Sequence, residues 1–314
     1  MKISLTGSNG FVGKNLLQKL IKDGHHVKVL SSSNANNYKN VTIIKGTLSS
    51  DYTVLESFVE DVDFIINCAG EIIDQNKMEE TNVHGVKNLL DIINYRKENI
   101  KWIQLGSAGI YKRNYHNKKC YEYIGEDAEI HTDNYYEKTK WNADDILLDA
   151  SRSKFIQVYI LRSTAIFGKD MSNDSLRRLI KLIKRRLFFY IGSKNNILSY
   201  LHVDDLTDLI VSIISSKHAY SGIYNISNDS KISLTINEVT DLLKIKKINL
   251  VINQKFAKIM TKMLPKVLGF PLTDSVIRAL TCRSIIDSTK ATRELGYKPK
   301  KPLHKYIYEL VKSS

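Results

Sequence analysis

The sequence predicts an α/β fold, a doubly wound parallel sheet followed by a smaller, mixed α/β domain. Two observations lead to this prediction. Segments of strand character and helix character alternate without a break up to about residue 170. Beyond that point the alternation weakens, and all four prolines of the chain occur there. We therefore expect one domain over residues 1–170 and a second over 171–314, with some later segments returning to the first sheet.

Short apolar segments mark the strands, and apolar residues spaced by three and four mark the helices. Strands are predicted at residues 3–5, 26–30, 41–45, 64–67, 102–105 and 157–161. Helices are predicted at residues 14–21, 52–59, 79–95, 136–150, 176–186, 203–216, 235–243 and 256–264. The short apolar segment at 64–67 indicates a strand at the centre of the parallel sheet.

Length, composition and cysteine content exclude several classes of protein. The chain has 314 residues, 43% of them hydrophobic, which is enough for a large core. No apolar run approaches the roughly 20 residues of a membrane helix, and no apolar leader segment follows Met1. Cys68, Cys120 and Cys282 are far apart and in no metal-ligand spacing. This favours reduced thiols in a cytoplasmic protein and predicts no metal site.

The net charge of +14 suggests an anionic partner, which could be nucleic acid, an anionic membrane face or a polyanionic small substrate. Most lysines are spread along the chain, but one segment is densely basic, with Arg177, Arg178, Lys181, Lys184, Arg185 and Arg186. Leucine and isoleucine at helical spacing form its other face. We interpret it first as a solvated helix face, then as a funnel for a nucleotide diphosphate, and expect neither nucleic acid nor a membrane as partner.

Three glycines between the first strand and the first helix form the first candidate site. Gly7, Gly10 and Gly13 are spaced Gly-x-x-Gly-x-x-Gly. In a strand–turn–helix unit this places residues without a Cβ where backbone N–H groups and the helix dipole favour a pyrophosphate. A chance run of glycines in such a unit is the alternative.

Three further features follow the glycines along the chain. Asn82 lies in a predicted helix, Ser107 directly follows a predicted strand, and Tyr136 and Lys140 open another helix as Tyr-x-x-x-Lys. A spacing of four residues puts the phenol and the ammonium on one face of that helix. Tyr135 has Thr139 at the equivalent distance and therefore lacks an ammonium partner.

In this order, these motifs resemble the extended short-chain dehydrogenase/reductase family of the NAD-dependent epimerase/dehydratase type, in its nucleotide-sugar-modifying branch. The resemblance extends to the C-terminal end, where Asp287, Lys290, Leu295, Gly296 and Pro299 are similar to the family's closing motif. Segments 162–168 and 200–206 resemble two further family segments, with Ser163 in place of a proline. The resemblance implies a Rossmann-like first domain and a C-terminal domain that binds a nucleotide sugar.

The resemblance also implies catalytic roles that agree with elementary chemistry. Reduction of a ketone requires a hydride on carbon and a proton on oxygen. Tyr136 would transfer the proton, and because a free phenol has a pKa near 10, the positive charge of Lys140 would favour its phenolate. Ser107 would donate a hydrogen bond to the carbonyl oxygen as charge develops there. Asn82 resembles the family's asparagine that supports the lysine, although a local role at a helix start is the alternative.

The cofactor site implied by the resemblance includes the glycine turn, the end of the second strand and the segment after the fourth strand. Its candidates are Gly7, Asn9, Gly10, Phe11, Val12, Gly13, Ser31, Ser32, Cys68, Ala69, Gly70, Asn82, Tyr136 and Lys140. NAD selectivity usually depends on a carboxylate that ends the second strand, whereas Ser31 and Ser32 stand here. We therefore expect NADP(H) ahead of NAD(H), with Lys14 or Lys39 as cations that could reach a 2′-phosphate.

The motifs favour a nucleotide-sugar ketoreductase among the activities of the family. The family's 4,6-dehydratases carry Thr-Asp-Glu at the serine position, where this chain has Ser107, Ala108 and Gly109. Several UDP-sugar epimerases carry an arginine in the segment equivalent to 195–200, which has none here. We expect NADPH to reduce the 4-keto group of a dTDP- or UDP-linked 4-keto-6-deoxyhexose, in synthesis of a deoxysugar for a surface polysaccharide. A nucleotide-sugar 4-epimerase and a catalytically silent NADP-binding regulator are the alternatives.

Substrate-binding residues are expected among the cations of the second half. Arg283 and Arg185 are the preferred candidates for the nucleotide diphosphate, with Lys194 and Arg278 as further ones. The resemblance also suggests a homodimer through the helices predicted at 79–95 and 136–150. Neither the base nor the sugar of the substrate follows from the sequence.

Overall fold

A computed structural model describes residues 1–32, 38–97, 99–113, 120–153, 155–171, 173–263 and 274–312. Its first half contains the strands β1 (Lys2–Thr6), β2 (His26–Ser31), β3 (Val41–Lys45), β4 (Phe64–Asn67), β5 (Ile100–Ser107), β6 (Glu122–Ile124), β7 (Ile156–Ser163) and β8 (Ala165–Phe167). The helices of this half are α1 (Phe11–Lys22), α2 (Tyr52–Val59), α3 (Gln75–Glu79), α4 (Gly85–Arg96) and α5 (Tyr135–Ala150). The predicted strands and helices of this half are therefore present, with one interrupted helix discussed below.

The second half has shorter strands between its helices. The strands are β9 (Tyr190–Ile191), β10 (Ile197–Leu198), β11 (Tyr200–His202), β12 (Gly222–Ile226), β13 (Ser230–Lys231), β14 (Val251–Ile252) and β15 (Ser284–Ile286). The helices are α6 (Ser175–Lys184), α7 (Val203–Ser215), α8 (Ile232–Leu242), α9 (Gln254–Met263), α10 (Asp274–Thr281), α11 (Thr289–Leu295), α12 (Leu303–Tyr306) and α13 (Tyr308–Val311). The predicted helix at 256–264 extends into residues outside the described ones.

A seven-stranded sheet with the order β12-β7-β5-β4-β1-β2-β3 forms the centre of the molecule. Every neighbouring pair in it is parallel, which confirms the predicted doubly wound α/β fold. The strand order reverses between β1 and β4, and ligands of such sheets bind outside the carboxyl ends of the strands at that point. Thr6 pairs with Asn67 there, so the glycine turn and the segment after β4 leave the sheet side by side.

Helices cover both faces of the sheet. One face buries the apolar sides of α1, α7 and α11, including Leu16, Ile210 and Leu295. The other face buries those of α2, α4 and α5. Because side chains of a strand alternate between faces, Leu5 belongs to the first of these cores and Ile65 to the second.

The second half contributes both to this sheet and to a separate core. Strand β12 pairs with β7 over five residues, from Gly222 opposite Tyr159 to Ile226 opposite Ser163. A third apolar cluster joins α6, α8, α12 and α13, and Ile183 and Ile236 are buried at its centre. The division at residue 170 remains a prediction. Among the described residues, no helix is long and apolar enough to cross a bilayer.

The helix predicted at 79–95 is interrupted in the structure. Residues Glu80–His84 form a π-helical turn between α3 and α4. Asn82 lies in this turn with its side chain buried. Periodicity therefore predicted the existence of the helix but not its interruption, since π-helical turns depend on contacts outside the helix.

Candidate active site

The glycine turn lies directly against the segment that follows β4. Gly7 has φ +65°, and a Cβ on it would lie 2.6 Å from the backbone nitrogen of Ala69. A Cβ on Gly13 would lie 2.1 Å from the carbonyl oxygen of Gly7, whereas the nitrogen of Gly10 donates to that same oxygen at 2.9 Å. Gly7 and Gly13 therefore cannot carry side chains in this arrangement. The turn leads into the N-terminus of α1, the favoured place for a phosphate.

The end of β2 lies beside this turn. The side-chain Nδ2 of Asn9 donates to Oγ of Ser31 at 3.1 Å. Ser31 is buried, and Ser32 is exposed. The described residues of this strand end carry no carboxylate; residues 33–37, the rest of the polar segment, lie outside the described ones. The buried Ser31 hydroxyl is bonded to Asn9, so Ser32 is the more accessible donor of the two.

The other members of the predicted cofactor site surround the turn. Phe11 and Val12 are half-buried in the first turn of α1. The backbone nitrogen of Ala69 donates to Oγ1 of Thr6 at 3.1 Å, which fixes the segment after β4 to the end of β1. Burial raises the pKa of the Cys68 thiol to about 12, although Lys140 acts in the opposite direction. Cys68 is therefore a neutral thiol and not a nucleophile.

Ser107 is the last residue of β5, and its Oγ accepts a hydrogen bond from the nitrogen of Gly109 at 3.1 Å. A Cβ on Gly109 would lie 3.1 Å from both Ser107 Oγ and Glu137 Oε1. The loop after β5 therefore contacts the first turn of α5. This contact brings the Ser107 hydroxyl, whose hydrogen can still be donated, to the end of the helix that carries Tyr136.

Helix α5 begins at Tyr135 because Asn134 caps it, with its side chain accepting from the nitrogen of Glu137 at 2.9 Å. Tyr136 is half-buried and Lys140 is buried one turn later. Burial lowers the pKa of Lys140, whereas the nearby Asp144 and Cys68 raise it. The electrostatic effect of Cys68 indicates that Lys140 lies close to the carboxyl end of β4.

The pKa of Tyr136 differs from the expectation. Burial, together with the nearby carboxylates of Asp144 and Glu137, raises the pKa of Tyr136 to about 12. The sequence analysis expected Lys140 to favour the phenolate, but desolvation and these two negative charges dominate. The phenol of Tyr136 is therefore protonated at neutral pH.

Asn82 ties the active-site helix to the loop after β4. Its Oδ1 accepts a hydrogen bond from the backbone nitrogen of Glu71 at 2.9 Å. Its Nδ2 donates to the backbone carbonyl oxygen of Glu71 at 3.1 Å and to Oγ1 of Thr139 at 3.0 Å. Thr139 Oγ1 donates in turn to the carbonyl oxygen of Tyr136 at 2.9 Å. Asn82 thus positions the segment between Tyr136 and Lys140. Both the oxygen and the nitrogen of its side-chain amide are hydrogen-bonded to other groups of the protein.

The motifs did not reveal a buried ionic network behind Lys140. Nε of Arg162 donates to Oδ2 of Asp144 at 3.0 Å, and its Nη1 donates to the hydroxyl of Tyr111 at 2.9 Å. That hydroxyl donates to Oδ1 of Asn225 at 2.8 Å. Oδ1 of Asp144 is buried without a hydrogen-bond partner. Asp144 stands four residues after Lys140, and this spacing was the only signal for it in the sequence.

Arg113 is a second cation that the motifs missed. Its Nη2 donates to the carbonyl oxygen of Ala108 at 3.1 Å, directly after Ser107. Its charge lowers the pKa of Glu137 and that of Asp229, although burial raises both more strongly. Arg113 therefore lies between the first turn of α5 and the loop before β13.

The predicted substrate cations belong to different elements of the second half. Arg185 is exposed at the end of α6, and Arg283 is half-buried just before β15. Nζ of Lys194 donates to Oδ1 of Asn249 at 2.7 Å, and Arg278 is half-buried in α10. Their roles toward a substrate remain proposals. The other face of α6 packs into the third core, as expected for a solvated basic helix.

The chain is similar to several known proteins along much of its length. The chain is 26% identical over 230 residues to N-acetyl-alpha-D-glucosaminyl-diphospho-ditrans,octacis-undecaprenol 4-epimerase of Escherichia coli O157:H7, covering 71% of this chain and 66% of that protein. It is 24% identical over 259 residues to a putative UDP-glucose 4-epimerase of Methanocaldococcus jannaschii, covering 77% and 81%. The alignments span only 58% to 66% of the lengths of several of these curated relatives.

Solved structures agree in fold across the whole chain. A UDP-glucose 4-epimerase of Thermotoga maritima, solved with UDP-glucose, superposes with a TM-score of 0.72 at 18% identity, covering 99% of this chain and 98% of that one.

A family model matches residues 3–227, which include the glycine turn, Ser107, Tyr136 and Lys140. The resemblance inferred from the motifs is therefore confirmed, and the chain belongs to the NAD dependent epimerase/dehydratase family.

Proposed function

We propose that this protein is a nucleotide-sugar 4-ketoreductase that uses NADPH. Its substrate would be a dTDP- or UDP-linked 4-keto-6-deoxyhexose, and Tyr136 would give a proton to the C4 oxygen. The observation that carries the proposal is an arrangement of three side chains, in which Tyr136 lies next to the loop that holds Ser107 and one helical turn from Lys140.

Tyr136 can serve as the acid of a ketone reduction. When a ketone is reduced, its oxygen gains negative charge and then a proton, so the acid must hold its proton beforehand. A phenol with a pKa of about 12 does so at neutral pH. The Ser107 hydroxyl would donate a hydrogen bond to the same oxygen.

The residues around the glycine turn fit a dinucleotide. The backbone surface at Gly7 and Gly13 has no room for side chains, as close approach to a pyrophosphate requires. The dinucleotide, when bound, supplies the hydride. Lys140 would contact its nicotinamide ribose, and Ser32 and Asn9 lie at the end that receives its adenine ribose. Because Ser31 and Ser32 carry no negative charge, this end would accept a 2′-phosphate without repulsion.

A nucleotide-sugar 4-epimerase is the second candidate, because several relatives are named as 4-epimerases. An epimerase oxidises and re-reduces the same carbon, so it retains its cofactor and returns the same hydride. A reductase takes a new hydride at each turnover. The two candidates therefore differ in whether NADPH added to the solution is consumed during turnover.

Transfer of isotope distinguishes them. The purified protein is incubated with NADPH deuterated at the transferred position and a freshly generated 4-keto-6-deoxyhexose nucleotide. We expect one deuterium at C4 of the product for each NADPH consumed. Interconversion of C4 epimers of a nucleotide hexose, without consumption of NADPH and with cofactor retained through purification, would establish the epimerase instead.

A further inference from the structure

The region around α9 has an unusual charge pattern. Between Asp241 and Asp274 the sequence contains seven lysines and no aspartate or glutamate. Among the described residues of this segment, Lys247, Lys255 and Lys258 are exposed.

The same region exposes large apolar side chains. Leu250 is 61% exposed, Phe256 55% and Ile259 52%. Val251 beside Leu250 is 42% exposed. Single exposed apolar residues are ordinary, but several in one short segment indicate an interaction surface. We call Leu250, Phe256, Ile259, Lys247, Lys255 and Lys258 the basic–apolar surface.

The geometry of α9 explains why these side chains face outward. Ala257 is buried against Ile191 and Ile277 and marks the inner face of the helix. At about 100° per residue, Phe256 and Ile259 lie about 60° apart, on a side turned away from Ala257. Lys255 and Lys258 lie on the opposite flank by the same geometry. The outer side of the helix therefore has an apolar flank, with Phe256 and Ile259, and a basic flank, with Lys255 and Lys258.

We propose that the basic–apolar surface docks this protein on the anionic surface of a lipid bilayer, with α9 in the plane of the interface. A helix with exposed Phe and Ile on one side and lysines on the other inserts its apolar side among acyl chains, while the lysines contact anionic headgroups. This is peripheral binding and requires no spanning helix. It revises the expectation from sequence that no membrane is a partner.

Charge complementarity favours a bilayer over the other occupants. A second copy of the chain would bring lysines against lysines, which is repulsive. Nucleic acid would attract the lysines but would gain little from exposed Phe256, Ile259 and Leu250, because its phosphate backbone is polar. An anionic bilayer offers both negative charge and an apolar layer directly beneath it.

Vesicle co-sedimentation tests the proposal without reference to catalysis. Purified full-length protein is mixed with vesicles of phosphatidylglycerol and phosphatidylcholine, or of phosphatidylcholine alone. We expect binding to the first and much weaker binding to the second, with binding weakened as salt is raised. Phe256→Glu and Lys255→Glu should each weaken binding by roughly fivefold or more.

Matched controls separate this surface from charge in general. Tyr220→Glu replaces a side chain that is 67% exposed elsewhere, and Lys217→Glu reverses an exposed lysine outside the surface; both should bind as the wild type does. Thermal unfolding midpoints verify that each variant is folded. The proposal is overturned by absence of binding to anionic vesicles, by equal effects of the control variants, or by self-association or DNA binding that Phe256→Glu abolishes while vesicles are not bound.

Discussion

Asp144 and Arg162 form a fully buried ion pair, with Oδ2 and Nε 3.0 Å apart and side chains 0% and 2% exposed. The pair connects α5, one turn beyond Lys140, to β7. Its position shows that the helix carrying Tyr136 and Lys140 is fixed to the sheet by charge as well as by apolar packing. Removal of one partner would leave the other charge buried and unpaired.

Asp144→Ala should therefore destabilise the protein strongly. Breaking a buried pair by removing one partner costs about 3–5 kcal/mol, and denaturant unfolding measures this free energy. The matched control is Asp149→Ala in the same helix, since Asp149 and Arg152 form a pair at 3.1 Å with side chains 77% and 83% exposed. That control should change the free energy of unfolding little. Equal effects of the two substitutions would contradict the role assigned to the buried pair.

The raised pKa of Tyr136 predicts how reduction depends on pH. The acid form of the phenol donates the proton, and a raised pKa keeps that form populated to higher pH. With a pKa of about 12, kcat/KM for ketone reduction should show no loss between pH 7 and about pH 10, where an unperturbed phenol would already be half ionised. A descending limb below about pH 10 that Tyr136→Phe removes would contradict the raised pKa of this phenol.

Gly7→Ala should impair both folding and dinucleotide binding. Gly24 offers a control, because both glycines have positive φ, +65° and +78°, but a Cβ on Gly24 would meet no atom within 4 Å. Each substitution incurs the cost of a left-handed conformation, about 1–2 kcal/mol. Only Gly7→Ala adds a clash with Ala69. Titration of NADPH by fluorescence should show weaker binding for Gly7→Ala and unchanged binding for Gly24→Ala, and equal affinities would exclude this role of the turn.

Ser31→Asp tests the proposed preference for NADPH. A carboxylate at the end of β2 would repel a 2′-phosphate and bond to ribose hydroxyls. The ratio of kcat/KM for NADPH to that for NADH should fall by at least about tenfold. Ser31→Ala removes the hydroxyl without adding charge, so it should change the ratio much less. A wild-type enzyme that already prefers NADH would contradict the proposed cofactor.

Local patterns predicted much of the fold and of the site. The alternating strand and helix patterns predicted which elements of the parallel sheet follow one another along the chain up to β7. Each of these patterns depends only on residues that are near one another in sequence. The glycine spacing located the turn at Gly7, and the spacing of Tyr136 and Lys140 located both on α5. Each of these features depends on residues that lie only a few positions apart in the sequence.

Features that depend on distant contacts were not predicted. The interruption at Asn82 depends on hydrogen bonds to Glu71 and Thr139. The sequence analysis expected later segments to return to the first sheet, but it did not identify β12, which pairs with β7 about 60 residues earlier in the chain. The raised pKa of Tyr136 depends on burial, which a motif does not reveal. Asp144 and Arg162 are likewise 18 residues apart in sequence, and neither belongs to a motif that indicates the other.

The most direct test of the proposed chemistry compares two adjacent tyrosines. Tyr136→Phe removes the proposed proton donor, whereas Tyr135→Phe removes an exposed hydroxyl that donates to Glu79 at 3.0 Å. The measurement is the rate of NADPH oxidation with a 4-keto-6-deoxyhexose nucleotide as substrate. We expect Tyr136→Phe to lose about 10²–10⁴-fold in kcat and Tyr135→Phe to keep nearly full activity. Undiminished reduction by Tyr136→Phe, or absence of reduction by the wild type with dTDP- and UDP-linked substrates alike, would contradict the proposal.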